Sequence, residues 1–206
     1  LGGARSDQID RPICQRETSM KGIQGALAIA AAAVFAPAYA LDMTLDFSGD
    51  ICGVAGDSAC LSGSQIGQNY GDVAGVLDVA HRSIRVSDDT TYEEFLKYWD
   101  ASYSDLTGVA WGGADASNYR SEISFTATPG GIVTLEGFDF GDYGNRNYGS
   151  SVQIYDGSDN LLWDGGSFDP GVSATHFAPP GISGNKLVLR WGPDGYNVGI
   201  DNIQVN

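Results

Sequence analysis

Short runs in which apolar and polar residues alternate recur along the chain, separated by clusters of Gly, Asp, Asn, Ser and Pro. A period of two places alternate side chains on one face of a strand, and regularly spaced turn clusters are typical of two packed sheets. The pattern predicts an all-β fold, a two-sheet antiparallel β-sandwich. Ten strands are expected, at residues 43–47, 76–86, 109–111, 122–128, 132–140, 152–155, 161–163, 175–177, 186–191 and 198–205.

Two connections between these strands carry strong turn residues. Pro129-Gly130-Gly131 separates two alternating runs, and residues 156–160, Asp-Gly-Ser-Asp-Asn, separate two more. Gly, Asn and Asp adopt the backbone angles of tight turns at little cost, so both connections are predicted to be β-hairpins.

The segment 91–100 is ambiguous. Tyr92, Phe95, Leu96 and Trp99 have the spacing of one helix face, which favours a short helix. An edge strand rich in aromatic residues is the alternative, and ten residues are too few for periodicity to decide between them.

The first forty residues have the features of an export signal. Met20 and Lys21 precede an apolar stretch that ends at Pro37, followed by Ala38 and Ala40 as an A-x-A cleavage site. We predict a secretory signal peptide at 20–40, a disordered gene-start extension at 1–19 and a single secreted β-sandwich domain at 41–206. The apolar run is shorter than the ~20 residues of a bilayer crossing, so no membrane span is expected in the mature chain.

The mature chain is strongly acidic. Residues 41–206 carry 7 Lys and Arg against 23 Asp and Glu, a net charge of 7 − 23 = −16. Such a surface repels nucleic acid and anionic membranes, and it attracts divalent cations such as extracellular Ca²⁺. The acidity is equally consistent with a surface that only keeps an exported protein soluble.

Cys52 and Cys60 are the two cysteines of the mature chain. An even count at short spacing in an exported protein predicts a disulfide. A zinc site would need four ligands, and His81 and His176 lie far along the chain.

No signature of a catalytic site is present. The chain lacks G-x-S-x-G, H-E-x-x-H and phosphate-binding loop motifs. His81 and His176 fit packed or surface positions better than a general base. Because 23 acids supply some carboxylate pair at any spacing, such pairs do not indicate a glycosidase. We therefore expect a protein that is not an enzyme.

The Gly-rich segment 138–151 is the best candidate for a ligand surface. Its polar and aromatic residues suit sugar rings, whose C–H faces stack on aromatic rings while their hydroxyls take hydrogen bonds. The alternative is a solvated loop whose tyrosines cover the core. Trp99, Trp111, Trp163 and Trp191 are expected in the core. The predicted ligand-binding residues are Asp142, Tyr143, Arg146, Asn147 and Tyr148.

Asp201 poses a problem within the last predicted strand. By alternation it shares a face with Ile203 and Val205, although an unpaired buried carboxylate is costly. A bound metal ion, backbone N–H groups or a bulge that turns it outward would each resolve the conflict.

Three stretches together resemble a known class of exported bacterial proteins. The residues at 64–79 (SQIGQNYGDVAGVLDV), at 133–143 with 152–166 (VTLEGFDFGDY, VQIYDGSDNLLWDGG) and at 189–205 (LRWGPDGYNVGIDNIQV) resemble ectodomains of the PEP-CTERM sorting class. The resemblance implies a galactose-binding-like jelly roll associated with exopolysaccharide in a biofilm matrix. It also implies a structural Ca²⁺ at Asp201, with Asp46 as a less firmly matched partner.

Members of that class end with Pro-Glu-Pro, an apolar helix and a basic cluster, whereas this sequence stops at Asn206 within the last strand pattern. The expectation is either free secretion or a truncated sequence.

The leading hypothesis is a secreted non-catalytic module that binds extracellular polysaccharide. A structural surface or matrix protein that acts through protein–protein assembly is the alternative, and a secreted glycoside hydrolase is a third. A free strand edge or apolar face would favour assembly, and a deep cleft with paired carboxylates would favour the hydrolase.

Overall fold

The computed structural model describes residues 41–206, which lie within one compact unit. The predicted signal peptide and the extension before it lie outside the described residues. The described part of the chain has thirteen strands and no helix, and therefore no helix that could cross a membrane. The strands are β1 (Met43–Leu45), β2 (Leu77–Arg85), β3 (Thr91–Glu93), β4 (Lys97–Trp99), β5 (Val109–Trp111), β6 (Tyr119–Ala127), β7 (Val133–Asp142), β8 (Ser150–Asp156), β9 (Leu161–Phe168), β10 (Thr175–Phe177), β11 (Ile182–Gly184), β12 (Lys186–Gly192) and β13 (Val198–Val205).

The strands form two antiparallel sheets. In sheet 1 the order is β10-β7-β13-β5-β4, with β1 paired to β13 and β11 paired to β7. In sheet 2 the order is β3-β2-β6-β12-β8-β9. The predicted two-sheet antiparallel β-sandwich is confirmed, and each of the ten predicted strands is present.

One of the two predicted hairpins is correct. β8 and β9 pair across the Asp-Gly-Ser-Asp-Asn turn, as expected. The hairpin at Pro129-Gly130-Gly131 is wrong, because β6 belongs to sheet 2 and β7 to sheet 1. A turn rich in Pro and Gly reverses the chain equally well when the next strand crosses to the other sheet, so its chemistry did not distinguish the two connections.

The segment 91–100 is not a helix. It forms the two short edge strands β3 and β4, which lie in different sheets. Leu96, between them, is fully buried, whereas Tyr92 is 37% exposed. The helical spacing does not reflect one buried face, because Leu96 is the only one of the four residues that is buried.

One apolar core lies between the sheets. Alternate residues of the long strands meet there, and burial of this apolar surface is the main favourable contribution to folding. Trp191 is the largest fully buried side chain, and Trp163 packs against the same core. His81 also points inward from β2, with 1% of its surface exposed, and neither ring nitrogen has a hydrogen-bond partner within residues 41–206.

The disulfide between Cys52 and Cys60 is formed, with their Cα atoms 5.1 Å apart. Cys52 is buried and pairs through its backbone with Ser58 and Ile66. The predicted bond therefore closes a Gly-rich loop against the core.

Candidate functional site

The loop that follows β7 is held by a buried carboxylate. Asp142 is fully buried, and its Oδ1 and Oδ2 accept backbone N–H groups from Arg146 and Tyr148, each at 3.0 Å. Charge-assisted bonds of this kind are stronger than neutral ones. Asp142 thus fixes the loop from beneath, and its two oxygens are directed at the loop backbone and away from solvent.

Tyr143 extends from this loop into an aromatic cluster on the outer side of sheet 1. Its ring lies 5.4 Å from that of Trp99, almost perpendicular to it, and 5.4 Å from that of Tyr103. Trp111 joins Trp99 to Tyr196, with ring distances of 6.2 and 5.0 Å. We call Trp99, Tyr103, Trp111, Tyr143 and Tyr196 the outer aromatic cluster.

Only part of the outer aromatic cluster reaches solvent. Tyr103 and Trp111 are 3% and 7% exposed, and the Tyr103 hydroxyl donates to the Tyr196 carbonyl at 2.8 Å. Tyr143 is 37% exposed, and packing on its neighbours limits its ring to one orientation. The expectation that all four tryptophans lie in the main core holds for Trp163 and Trp191, whereas Trp99 and Trp111 form this second cluster.

The other predicted loop residues are divided between two environments. Arg146 and Asn147 are exposed beside Tyr143. Tyr148 is half-buried and packs against the main core. Among the five predicted ligand residues, Tyr143, Arg146 and Asn147 therefore present side chains to solvent, while Asp142 and Tyr148 anchor the loop.

Asp201 precedes a β-bulge in the central strand of sheet 1. The pairing of β13 with β7 aligns Asp201 with Asp139 and then shifts before Gln204. Asn202 has a φ of 52°, in the left-handed region that Asn tolerates. The bulge changes the phase of the strand, so Ile200 and Ile203 both enter the core. The expectation that Asp201 shares a face with Ile203 and Val205 is wrong for this reason.

The Asp201 carboxylate is nevertheless only 4% exposed, and its Oδ1 accepts the N–H of Asn202 at 2.7 Å. Burial raises the pKa of Asp201 to about 7, with further contributions from the charges of Asp46 and Asp139. Burial also raises the pKa of the Tyr70 hydroxyl, which the charges of Asp46 and Asp201 raise further. Asp46 and Asp139 therefore lie near enough to Asp201 to oppose its ionisation.

The side chains around Asp201 do not by themselves form a calcium shell. Asp46 is exposed and turns back on its own loop, where Oδ1 accepts Ser48 N–H and Oγ–H. Asp139 contacts His176 Nδ1 at 2.7 Å and accepts Asn202 Nδ2 at 2.9 Å. Within residues 41–206 no group of three or more His, Cys, Asp or Glu is arranged to hold a metal ion. Because Ca²⁺ takes 6–8 oxygens, backbone carbonyls and water would have to supply most of them.

The outer face of sheet 2 carries a polar row that spans five strands. Register aligns its members across β2, β6, β12, β8 and β9, because Arg190 pairs with both Glu122 and Gln153. Glu122 is 3% exposed and accepts Arg82 Nε at 2.6 Å and Arg190 Nε at 2.5 Å. The polar row consists of Arg82, Glu122, Arg190, Gln153 and Asp164.

A pocket of about 280 Å³ opens beside this row. The Arg190 guanidinium lies 4.6 Å from the Tyr155 ring centre, and Ser151 Oγ donates to the Gly192 carbonyl at 2.7 Å. Sequence reasoning missed the pocket because its residues come from separate strands and form no local motif. The lining residues are Val86, Arg120, Ser151, Gln153, Tyr155, Arg190, Trp191, Gly192 and Pro193.

Comparison with known proteins identifies no family for this chain. No family model and no curated protein matches it. Five solved chains match, among them the enzymatically active domain of tailspike protein 4 from bacteriophage CBA120, with 10% sequence identity and a TM-score of 0.32. That alignment covers 79% of this chain and 21% of the tailspike chain, so this chain spans about a fifth of it.

Proposed function

We propose that residues 41–206 form a secreted, non-catalytic module that binds extracellular polysaccharide through the outer aromatic cluster. The observation that supports this proposal most directly is Tyr143, a partly exposed ring whose orientation two perpendicular or tilted aromatic neighbours fix. A preoriented aromatic face is a suitable platform for the C–H face of a sugar ring.

The anchoring of the loop also supports binding. Asp142 ties the backbone of residues 146 and 148 to the sheet, which holds Arg146 and Asn147 beside Tyr143. A loop that is already ordered loses little conformational entropy when a ligand binds. Arg146 and Asn147 would then donate and accept hydrogen bonds with the sugar hydroxyls.

The assembly hypothesis is supported by one feature, the exposed Leu161 and Leu162 on edge strand β9. However, the pairing of β9 with β8 is interrupted by two register shifts, and Asp164 carries a charge on this strand. Bulges and charges on an edge strand oppose pairing with another chain. The glycan hypothesis therefore has the stronger structural support.

A hydrolase would need a carboxylic acid that reaches its substrate. Asp201 has the raised pKa of a general acid and has Asp46 and Asp139 nearby. Only 4% of the surface of Asp201 is exposed, so a glycosidic oxygen cannot reach its carboxyl group. We therefore propose a non-catalytic role for this domain.

Tyr143→Ala should reduce retention of the mature domain on immobilised polysaccharide by about tenfold, because stacking on one aromatic ring contributes on the order of 1 kcal/mol or more. Retention can be measured by affinity electrophoresis against a panel of bacterial exopolysaccharides. Tyr92→Ala is a matched control, since Tyr92 is also 37% exposed and packs on one other tyrosine, Tyr119. Equal retention of both variants on every polysaccharide that binds the wild type would exclude the outer aromatic cluster as the site.

We further propose a structural Ca²⁺ near Asp201 and Asp46, completed by backbone carbonyls. A ligand that binds only the folded state stabilises it by about 2.7 kcal/mol at a hundredfold excess over its Kd. Calcium should therefore raise Tm relative to EDTA, and Asp201→Asn should remove most of this difference. Identical thermal unfolding in millimolar calcium and in EDTA would leave the Asn202 N–H as the partner of Asp201 without a metal.

A further inference from the structure

The pocket on sheet 2 is cationic within an acidic protein. Its lining contains Arg120 and Arg190 and no carboxylate. Residues 41–206 hold only seven cationic side chains in total, so two of them border one small cavity. The acids that pair with these arginines do not line the pocket. Glu122 is buried on the outer face of sheet 2, whereas Asp89 and Asp159 are exposed.

The two guanidinium groups retain donors for a ligand. Arg190 directs Nε to Glu122 and Nη2 to Asp159, and Arg120 directs Nη2 to Asp89. Arg120 Nε is buried and has no hydrogen-bond partner among the described residues. A guanidinium carries five N–H donors arranged to match a carboxylate. The buried Nε of Arg120 cannot reach a ligand, so the donors open to one are the Nη groups that do not contact an acid.

The acids that compete for these donors are weakly held. Asp159 and Asp89 have 71% and 69% of their side-chain surfaces exposed. Ion pairs at such positions contribute little because water and salt screen them. An incoming anion can therefore replace either acid without breaking the buried contact of Arg190 with Glu122.

The remaining lining suits a sugar. Gln153 and Ser151 offer polar side chains on β8, and Tyr155 offers an aromatic ring. A volume of about 280 Å³ lies at the lower end of the ~300–1,000 Å³ typical of small-molecule pockets. It has room for one sugar ring and not for an oligosaccharide.

We infer that this pocket binds a single uronic acid residue, with the sugar carboxylate on Arg120 and Arg190 and the ring hydroxyls on Gln153 and Ser151. The inference deepens the proposed function by naming an acidic sugar and a second site, and it rests on the proposed association with polysaccharide. The pocket lies on sheet 2, whereas the outer aromatic cluster lies on sheet 1, so the two sites can be tested independently.

The test is an NMR titration of the mature ¹⁵N-labelled domain in EDTA at low salt with three probes. Methyl glucuronoside carries both ring and carboxylate, methyl glucoside lacks the carboxylate, and acetate lacks the ring. Methyl glucuronoside should shift the amides of Ser151, Gln153 and Gly192 and bind about tenfold more tightly than either other probe, since charged hydrogen bonds and ring contacts act together. If acetate binds as tightly as methyl glucuronoside, the pocket is a simple anion site and the proposal is wrong. If methyl glucoside binds as tightly as methyl glucuronoside, the arginines have no role in binding.

Two variants give opposite expectations. Arg120→Gln should weaken methyl glucuronoside binding about tenfold, whereas Asp159→Asn should strengthen it severalfold because it removes the negative charge that competes with the sugar carboxylate for Arg190. Lys186→Gln is the matched control, because Lys186 is on the same strand as Arg190 and outside the pocket lining. If Arg120→Gln does not fold, the Asp159→Asn variant still decides, since unchanged or weaker binding would overturn the proposal.

These results are separable from those for Tyr143. Loss of polysaccharide retention in Tyr143→Ala with unchanged methyl glucuronoside shifts would support both sites. If Tyr143→Ala has no effect while methyl glucuronoside still binds as expected, the proposed cluster is wrong and the pocket stands. Absence of shifts at Ser151, Gln153 and Gly192 with all three probes would overturn the pocket alone.

Discussion

Asp201→Asn should stabilise the domain above pH 7 and leave its stability near pH 4 almost unchanged, when both are measured in EDTA. The wild-type carboxyl has a folded-state pKa of about 7 because of burial and the nearby charges of Asp46 and Asp139. An unfolded Asp titrates near 3.9. The folded protein therefore holds a proton that the unfolded chain releases, so the free energy of unfolding falls as pH rises from about 4 to about 7. A shift of about three pH units corresponds to at most roughly 4 kcal/mol.

His81 acts in the opposite direction in the same pH range. Burial lowers its pKa to about 4, whereas an unfolded His titrates near 6.5. Its contribution to stability is complete above pH 6.5 and is lost as pH falls towards 4. In the wild type the two groups oppose each other, and a nearly flat profile is expected between pH 4 and 6.5. Asp201→Asn should reveal the decline towards acid that His81 causes.

Urea unfolding followed by tryptophan fluorescence at pH 4, 5, 6, 7 and 8 measures this profile. Asp78→Asn serves as the control, because it removes an exposed acid from β2 and should leave the shape unchanged. Stabilisation by Asp201→Asn of the same size at pH 4 and pH 8 would show that its ionisation is not coupled to folding.

Glu122→Ala should destabilise the domain by about 3–5 kcal/mol, because it removes the buried partner of Arg190 and leaves a poorly solvated charge. A guanidinium does not lose its proton in proteins, so Arg190 stays charged when Glu122 is removed. Only 14% of the Arg190 side chain is exposed, which limits hydration in place of the lost carboxylate.

Asp159→Ala provides the comparison on the same guanidinium. Asp159 contacts Arg190 Nη2 at 2.6 Å but is 71% exposed, and loss of an exposed pair typically costs less than about 1 kcal/mol. Urea unfolding of both variants at pH 7 measures the difference. If Glu122→Ala lowers the free energy of unfolding no more than Asp159→Ala does, Glu122 does not hold the polar row together.

The strands were predictable because their information is local. The alternation in β2, β7 and β13 depends only on neighbouring residues and on the side of the strand that each side chain occupies. The choice of sheet is not local, and the connection at Pro129-Gly130-Gly131 was therefore assigned to a hairpin. The β-bulge at Asp201 had a weak signal in the Asp-Asn pair, since Asn202 accepts a positive φ.

The sites were predictable to different degrees for the same reason. Tyr143 and Arg146 belong to one loop, so their closeness in the sequence is enough to predict that they lie together. The polar row joins Arg82, Glu122 and Arg190 across more than a hundred residues, and only the register of β2, β6 and β12 aligns them. No spacing rule for one strand can predict a row that runs perpendicular to all of them.

The position of β13 in sheet 1 has a consequence for the order of folding. β13 pairs with β7 on one side and β5 on the other, and β1 also pairs with it. A growing chain that has not yet reached residues 198–205 lacks the strand that joins these three, so it cannot assemble sheet 1. The sandwich should therefore be completed only after this strand has been synthesised, and the many distant pairings place its folding rate in the millisecond-to-second range typical of β-sandwiches.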